Sequence, residues 1–152
     1  MVVNSEDIST LYNFGPVYTN PSNEIINYLI ITRDSLKNAF DNLVRWKTQK
    51  GLRAKVLTVE DILSNPNYTG DDVPLKIKQA IKYYYDNYQT RYVLLGGNNQ
   101  QVPSRLCYIR FARYNYYGQF IDDYDYTPAD CFYSDLQTMD WNSDNDYRQG
   151  EI

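Results

Sequence analysis

Oxygen-bearing side chains recur at every second position in Asp140-Trp141-Asn142-Ser143-Asp144-Asn145-Asp146, and Glu151 stands at the twelfth position of the loop that Asp140 opens. A hard cation takes roughly six to eight oxygens at about 2.3–2.6 Å, and a tightly turning loop aims alternate side chains at one point while a distal Glu closes the shell. The spacing therefore predicts a Ca²⁺ site with Asp140, Asn142, Asp144, Asp146 and Glu151 as ligands. Its sixth position is Asn145 rather than Gly. Asn reaches the left-handed backbone that such a turn needs, at some cost. The competing reading is a solvated acidic turn, because short Asp/Asn alternations recur by chance. Nothing in the spacing of Asp122, Asp123, Asp125, Asp130 or Asp135 singles out a further ligand, and these read as surface charges.

The chain has no His, which removes the commonest general base, the commonest zinc ligand and every Ser-His or Cys-His dyad. Cys107 and Cys131 have no CxxC partner and read as buried free thiols or, in an oxidising compartment, as a pair. Gly96-Gly97-Asn98 lacks the order of a phosphate-cradling loop and reads as a strand-ending turn. Asn67-Tyr68-Thr69 fits a glycosylation sequon, a weak signal without a compartment. Lys+Arg 15 against Asp+Glu 19 leaves a net charge of −4, so no global field holds a polyanion, and nucleic acid is not an expected partner. The Tyr and Arg residues that are able to stack on bases read as packing groups at the margin of a core.

The elements that must position these residues follow from periodicity. A length of 152 residues and a hydrophobic fraction of 43% fit one globular domain. Residues 1–24 carry Pro16, Pro21 and polar residues without apolar periodicity and read as an N-terminal arm. Ile25 to Thr32 is a continuous apolar run, as expected of a strand covered on both faces. Leu36, Phe40, Leu43 and Val44, with Trp46 as a looser fifth member, recur at helical spacing, predicting a helix from Ser35 to Lys50 with Gly51 as its stop. Arg53 to Thr58 predicts a second strand, Val59 to Leu63 a brief helical turn, and the Val73, Ile77, Ala80, Ile81, Tyr84, Tyr85 stripe a second long helix. Arg91 to Leu95 predicts a third strand, ended by Gly96. This β-α-β-α-β order implies an α/β fold: a parallel sheet flanked by helices, with right-handed crossovers. Beyond Pro103 only Leu106 to Ala112 is β-prone, and residues 114–147 read as a long irregular Tyr/Asp-rich segment, a length that usually marks a functional loop or a bound ion. No apolar run spans a bilayer, and the start MVVNSEDIST lacks signal-peptide character, which fits a cytoplasmic chain or one whose signal has been removed.

Several of these pieces, in this order, carry a resemblance. Trp46, Lys47, Lys50, Gly51 and Val56, then Tyr92 to Pro103 (YVLLGGNNQQVP), then Asp130, Tyr133, Asp135, Leu136 and Gly150 to Ile152 resemble the first part of the catalytic domain of gingipain-like cysteine peptidases, peptidase family C25. The resemblance covers about residues 25–152. It implies a caspase-like three-layer sandwich of two subdomains, related in outline to flavodoxin-like folds, with the catalytic His and Cys in the second subdomain. This chain is then a first subdomain that stops before them, and neither Cys107 nor Cys131 inherits the nucleophile's role. Asn98 stands where the family usually has Asp.

The resemblance further implies an extracellular or cell-surface parent that cleaves proteins or peptides. This segment would support the C-terminal catalytic subdomain of the same polypeptide and hold structural calcium, while being inactive alone. A noncatalytic interaction module of a surface or adhesion protein is the second reading. A flavodoxin-like ligand binder is the third, and needs a pocket above Thr32, Thr58 and Gly96. A first subdomain is also expected to expose an apolar patch along a sheet edge, or to associate with its own copies.

Overall fold

The computed structural model describes residues 24–138 together with Trp141, Asn142, Asp146 and Arg148. The N-terminal arm thus lies, but for Glu24, outside the described residues. Three strands, β1 (Tyr28–Thr32), β2 (Ala54–Thr58) and β3 (Tyr92–Gly96), form a parallel sheet in the order β2-β1-β3. Ile30 lies opposite Val56 on one side and Leu94 on the other. The most apolar run became the central strand because only that position covers both of its faces. Leu29 and Ile31 point into the main core with Val59, Ile62, Ile77 and Ile81, while Ile30, alternating to the opposite face, is buried as well.

The helices take up opposite faces because the chain crosses one way from β1 to β2 and the other way from β2 past β1 to β3, and right-handed crossovers then place the connections above and below the sheet. The predicted first helix is two pieces, a 3₁₀ helix over Asp34–Phe40 and α1 over Asp41–Gln49. The tighter turns seat the Phe40 ring over Gly96, where a Cβ would lie 2.4 Å from the ring's Cζ. Glycine at that strand end therefore makes room for an aromatic ring. α2 (Val59–Ser64) starts in a reciprocal cap, with Thr58 Oγ1 accepting from Asp61 N at 3.1 Å and Asp61 Oδ2 accepting from Thr58 N at 3.3 Å. α3 (Val73–Tyr88) buries Ile77, Ala80, Ile81 and Tyr84 as its period predicts, and ends at Gln89 in the left-handed region (φ 58°).

The segment expected to be irregular contains regular structure. β4 (Arg105–Tyr114) and β5 (Phe120–Ala129) form an antiparallel hairpin, registered so that Cys107 faces Thr127 and Tyr108 faces Tyr126. At its tip Asn115 Oδ1 accepts from Tyr117 N and Gln119 N, both at 2.9 Å, and Gly118 takes φ 71°. Only the base of the hairpin meets the core, and most of both faces is in water. An apolar alternation was therefore never required. The two strands are held instead by cross-strand pairs, Arg110 with Asp122, Arg113 with Asp123 and Tyr108 against Tyr124. At the base Asp72, which caps α3 by accepting from Leu75 N at 2.9 Å, also takes both Arg105 terminal nitrogens at 2.5 and 3.1 Å. α4 (Cys131–Ser134) follows and buries Phe132 and Tyr133. No described helix is long and apolar enough to cross a membrane.

Candidate functional site

Open parallel sheets take ligands beyond the carboxyl ends of their strands, where the strand order reverses. Here that place lies between β1 and β3, and Arg33 bridges it. Its Nε donates to Gln101 O at 3.0 Å and its Nη1 to Glu60 Oε1 at 3.1 Å, while Glu60 Oε2 accepts from Asp34 N at 3.0 Å. Slight burial pushes the Glu60 carboxyl up, but bonds from its own backbone, Arg33 and Asp34 outweigh it and hold the group below its ordinary value. Beneath this bridge Thr32 Oγ1 donates to Gly96 O at 2.6 Å. The space that a ligand binder needs above Thr32 and Gly96 is thus crossed by a guanidinium. Asn98 supplies a hydrogen bond without a charge: its Oδ1 accepts from Gln100 N at 2.8 Å and shapes the turn after Gly97.

The Asp-rich loop is approached through a buried ammonium. Lys78 of α3 has no exposed surface, yet its Nζ donates to Thr138 O at 2.5 Å and sits 4.1 Å from the centre of the Phe132 ring and 5.5 Å from that of Trp141. Asp135 closes the loop from the other side. Its Oδ1 accepts from Thr138 N (3.1 Å) and Gln137 N (3.2 Å), and its Oδ2 from Trp141 Nε1 (3.0 Å). Those donors, the Thr138 amide foremost, lower the Asp135 pKa to about 2, whereas desolvation lowers that of Lys78 against the opposing pull of Asp135. Sequence reasoning passed over Lys78, although its place three residues before Ile81 on the apolar stripe was a usable signal.

Of the predicted calcium ligands, Asn142 and Asp146 are described. Asn142 Oδ1 accepts from Asp146 N at 3.1 Å, and Asp146 takes Arg148 N at 2.9 Å and the Arg148 guanidinium at 3.3 Å. Asp140, Asp144 and Glu151 lie outside the described residues. Among the described residues no three His, Cys, Asp or Glu side chains converge as a metal cluster. The other acidic residues hold local partners: Asp122 and Asp123 pair with arginines, and Asp125 Oδ1 accepts from Tyr126 N at 2.7 Å.

The free side of β3 offers a surface of a different kind. Among the described residues β3 pairs with β1 alone, which leaves the outward backbone groups of one edge without a strand. Along that edge runs a groove of about 610 Å³ lined by Ile81, Tyr85, Val93, Leu95, Tyr133 and Leu136. Its floor is fixed by Tyr133, whose hydroxyl donates to Pro103 O and whose burial pushes the phenol well above its ordinary pKa. Tyr92 is 54% and Val93 39% exposed at the strand's start. Such a site binds an extended chain through its backbone and alternate side chains. None of the residues that line it is a cysteine.

Comparison with known proteins agrees with the sequence motifs. The family model described as Peptidase family C25 matches residues 21–149. Gingipain R2 of Porphyromonas gingivalis strain W83 is 30% identical over 105 residues, covering 66% of this chain and 14% of the relative. Gingipain R1 of Porphyromonas gingivalis is 29% identical over 96 residues, or 62% of this chain and 9% of the relative. The chain thus corresponds to a small fraction of the length of the curated relatives it matches. No solved structure matches it significantly.

Proposed function

Because this chain belongs to peptidase family C25, we propose that it is the noncatalytic N-terminal subdomain of a gingipain-like cysteine endopeptidase whose catalytic subdomain follows in the same polypeptide. The observation that carries this reading is the unpaired β3 edge with its apolar groove. A strand added there satisfies the free amides and carbonyls of β3, and its side chains remove Val93 and Leu136 from water. The parent would hydrolyse proteins or peptides outside the cell or at its surface, through a thiolate and a His that this His-free chain does not supply. The loop from Asp140 to Glu151 would hold structural Ca²⁺, for which its carboxylate and amide oxygens are the right donors. The exposed aromatic residues of the β4–β5 hairpin favour a second reading, a noncatalytic interaction module.

The test compares the 152-residue chain with a longer chain continued through the rest of its gene. Expected are no peptide hydrolysis by the short chain, thiol-sensitive hydrolysis by the long one, and slowed amide exchange at Tyr92–Gly96 in the long one. A continuation that lacks a His and a Cys would favour the interaction module. Unchanged exchange along β3 would show that the groove is not the docking face.

A further inference from the structure

We propose that the tip of the β4–β5 hairpin is a peripheral membrane contact, which seats in the interfacial zone of a zwitterionic lipid bilayer and holds the chain at that surface without crossing it. Residues 114–121 (YNYYGQFI) carry no charge. The tyrosines among them, expected from the sequence to pack at the margin of a core, stand in water instead. Tyr116 and Tyr117 are 96% and 83% exposed, and the Tyr114 and Phe120 rings beside them are exposed as well. A phenol is apolar in its body and polar at its end, so at a membrane interface the ring leaves water while the hydroxyl keeps it.

The backbone of the tip is prepared for that environment. The amides of Asn115, Tyr117, Gly118 and Gln119 all donate within the turn: Asn115 N to Gln119 O and Gly118 N to Asn115 O, both at 3.0 Å, and Tyr117 N and Gln119 N to Asn115 Oδ1. Asn115 Nδ2 in turn donates to Gln119 Oε1 at 2.9 Å. Few peptide groups therefore lose a partner when water is withdrawn, which is the main cost of placing a turn at a lipid surface. About two residue rises of roughly 3.4 Å separate the Tyr114–Phe120 pair from the end of the turn, a depth of about 7 Å. Interfacial elements sink by roughly 5–10 Å. Farther down, both outer edges of the hairpin lack a neighbouring strand among the described residues, and open edges are not tolerated in hydrocarbon, so insertion stops at the interface.

Charge selects the occupant. Directly below the tip the ion pairs Arg113–Asp123 and Arg110–Asp122 present both signs at the level of the headgroups, where guanidinium meets phosphate and carboxylate meets choline. These pairs sum to zero and the whole chain carries −4, which favours a zwitterionic over an anionic surface. A carbohydrate fits less well. Tyr116 lies edge-on to Tyr117 (83°) and Tyr114 edge-on to Phe120 (76°), so neither pair offers the flat platform on which a sugar ring stacks. The proposal stands whether or not a catalytic subdomain follows in the polypeptide.

The experiment floats the 152-residue chain with phosphatidylcholine vesicles on a density gradient at low and at high salt, and repeats this with the longer chain continued through its gene. Expected is flotation of both chains at either salt concentration. In Tyr117→Trp the added fluorescence shifts to the blue on binding and is quenched by brominated acyl chains. Tyr116→Ser/Tyr117→Ser, at exposed positions, binds at least about ten-fold more weakly at unchanged Tm. Trp46→Ser, which removes an exposed ring on α1, binds as the wild type does. Chains that do not float, a double variant that floats as well as the wild type, flotation on anionic vesicles alone with loss in salt, unquenched fluorescence, or a longer chain that no longer floats would each overturn the proposal. So would retention on immobilised polysaccharide, or a dimer lost in the double variant, without binding to vesicles.

Discussion

Replacing Lys78 by Met keeps the length and packing of a side chain with no exposed surface, and removes its charge and its bond to Thr138 O. Two opposing effects set the magnitude. The lost bond leaves a part-buried carbonyl short of a partner and ends the cation–π contacts with Phe132 and Trp141, a cost of about 1–3 kcal/mol. Removing a desolvated ammonium returns part of that cost. Asp135 keeps its three N–H donors, so no stranded anion is added to the account. The net expectation is a loss of about 1–2 kcal/mol for Lys78→Met and about 3 kcal/mol for Lys78→Ala, which also leaves a cavity. Urea unfolding followed by far-ultraviolet circular dichroism gives both values, and Trp141 fluorescence reports whether the loop detaches first. A Lys78→Met chain as stable as the wild type, or more stable, would refute the idea that this ammonium holds the loop from Asp135 to Trp141 in place.

Gly96→Ala should cost about 2–3 kcal/mol because its methyl group collides with the Phe40 ring, and the loss should shrink in the Phe40→Leu background; additive losses in denaturant titrations would contradict the contact. Asp135 has a folded pKa of about 2 against 3.8 for the free group, so its contribution is complete above pH 3.8 and is lost as the pH falls toward 2. Acid titrations of stability should therefore be steeper over that window in the wild type than in Asp135→Asn, and parallel curves would remove its role. After chelator treatment, millimolar Ca²⁺ should raise Tm in the wild type and not in Asp144→Ala; equal behaviour of the two would make the loop a solvated turn.

How much of this was legible in the sequence depended on how each residue meets the core. β1 and α3 announce themselves because burial on both faces, or on one stripe, forces an apolar run or a period near 3.6, whereas β3 shows an apolar run although Tyr92 and Val93 at its start are exposed. The Thr58–Asp61 cap was present in the letters for the same local reason, since both partners lie within one turn. The split of the first helix was not, because it follows from Phe40 meeting a glycine on a strand far away in sequence. β5 was also hidden. Its Asp122, Asp123 and Asp125 look like loop residues until Arg110 and Arg113 are found across the ladder. For the candidate calcium loop, alternation placed oxygens on a line in the sequence, and the two described residues of the predicted set, Asn142 and Asp146, are engaged with Asp146 N and Arg148.

The sequence by itself determined the α/β elements and their order, the membership of a peptidase family through short motifs, and, by the lack of His, that no His-dependent catalysis resides in this chain. These are properties of local pattern and composition. Only the tertiary structure decided that Lys78 is buried rather than solvated, that Arg33 spans the carboxyl end of the sheet, and that among the described residues β3 keeps a free edge. Each depends on which elements pack together, and burial, pairing and pKa are set by neighbours that local sequence spacing does not encode.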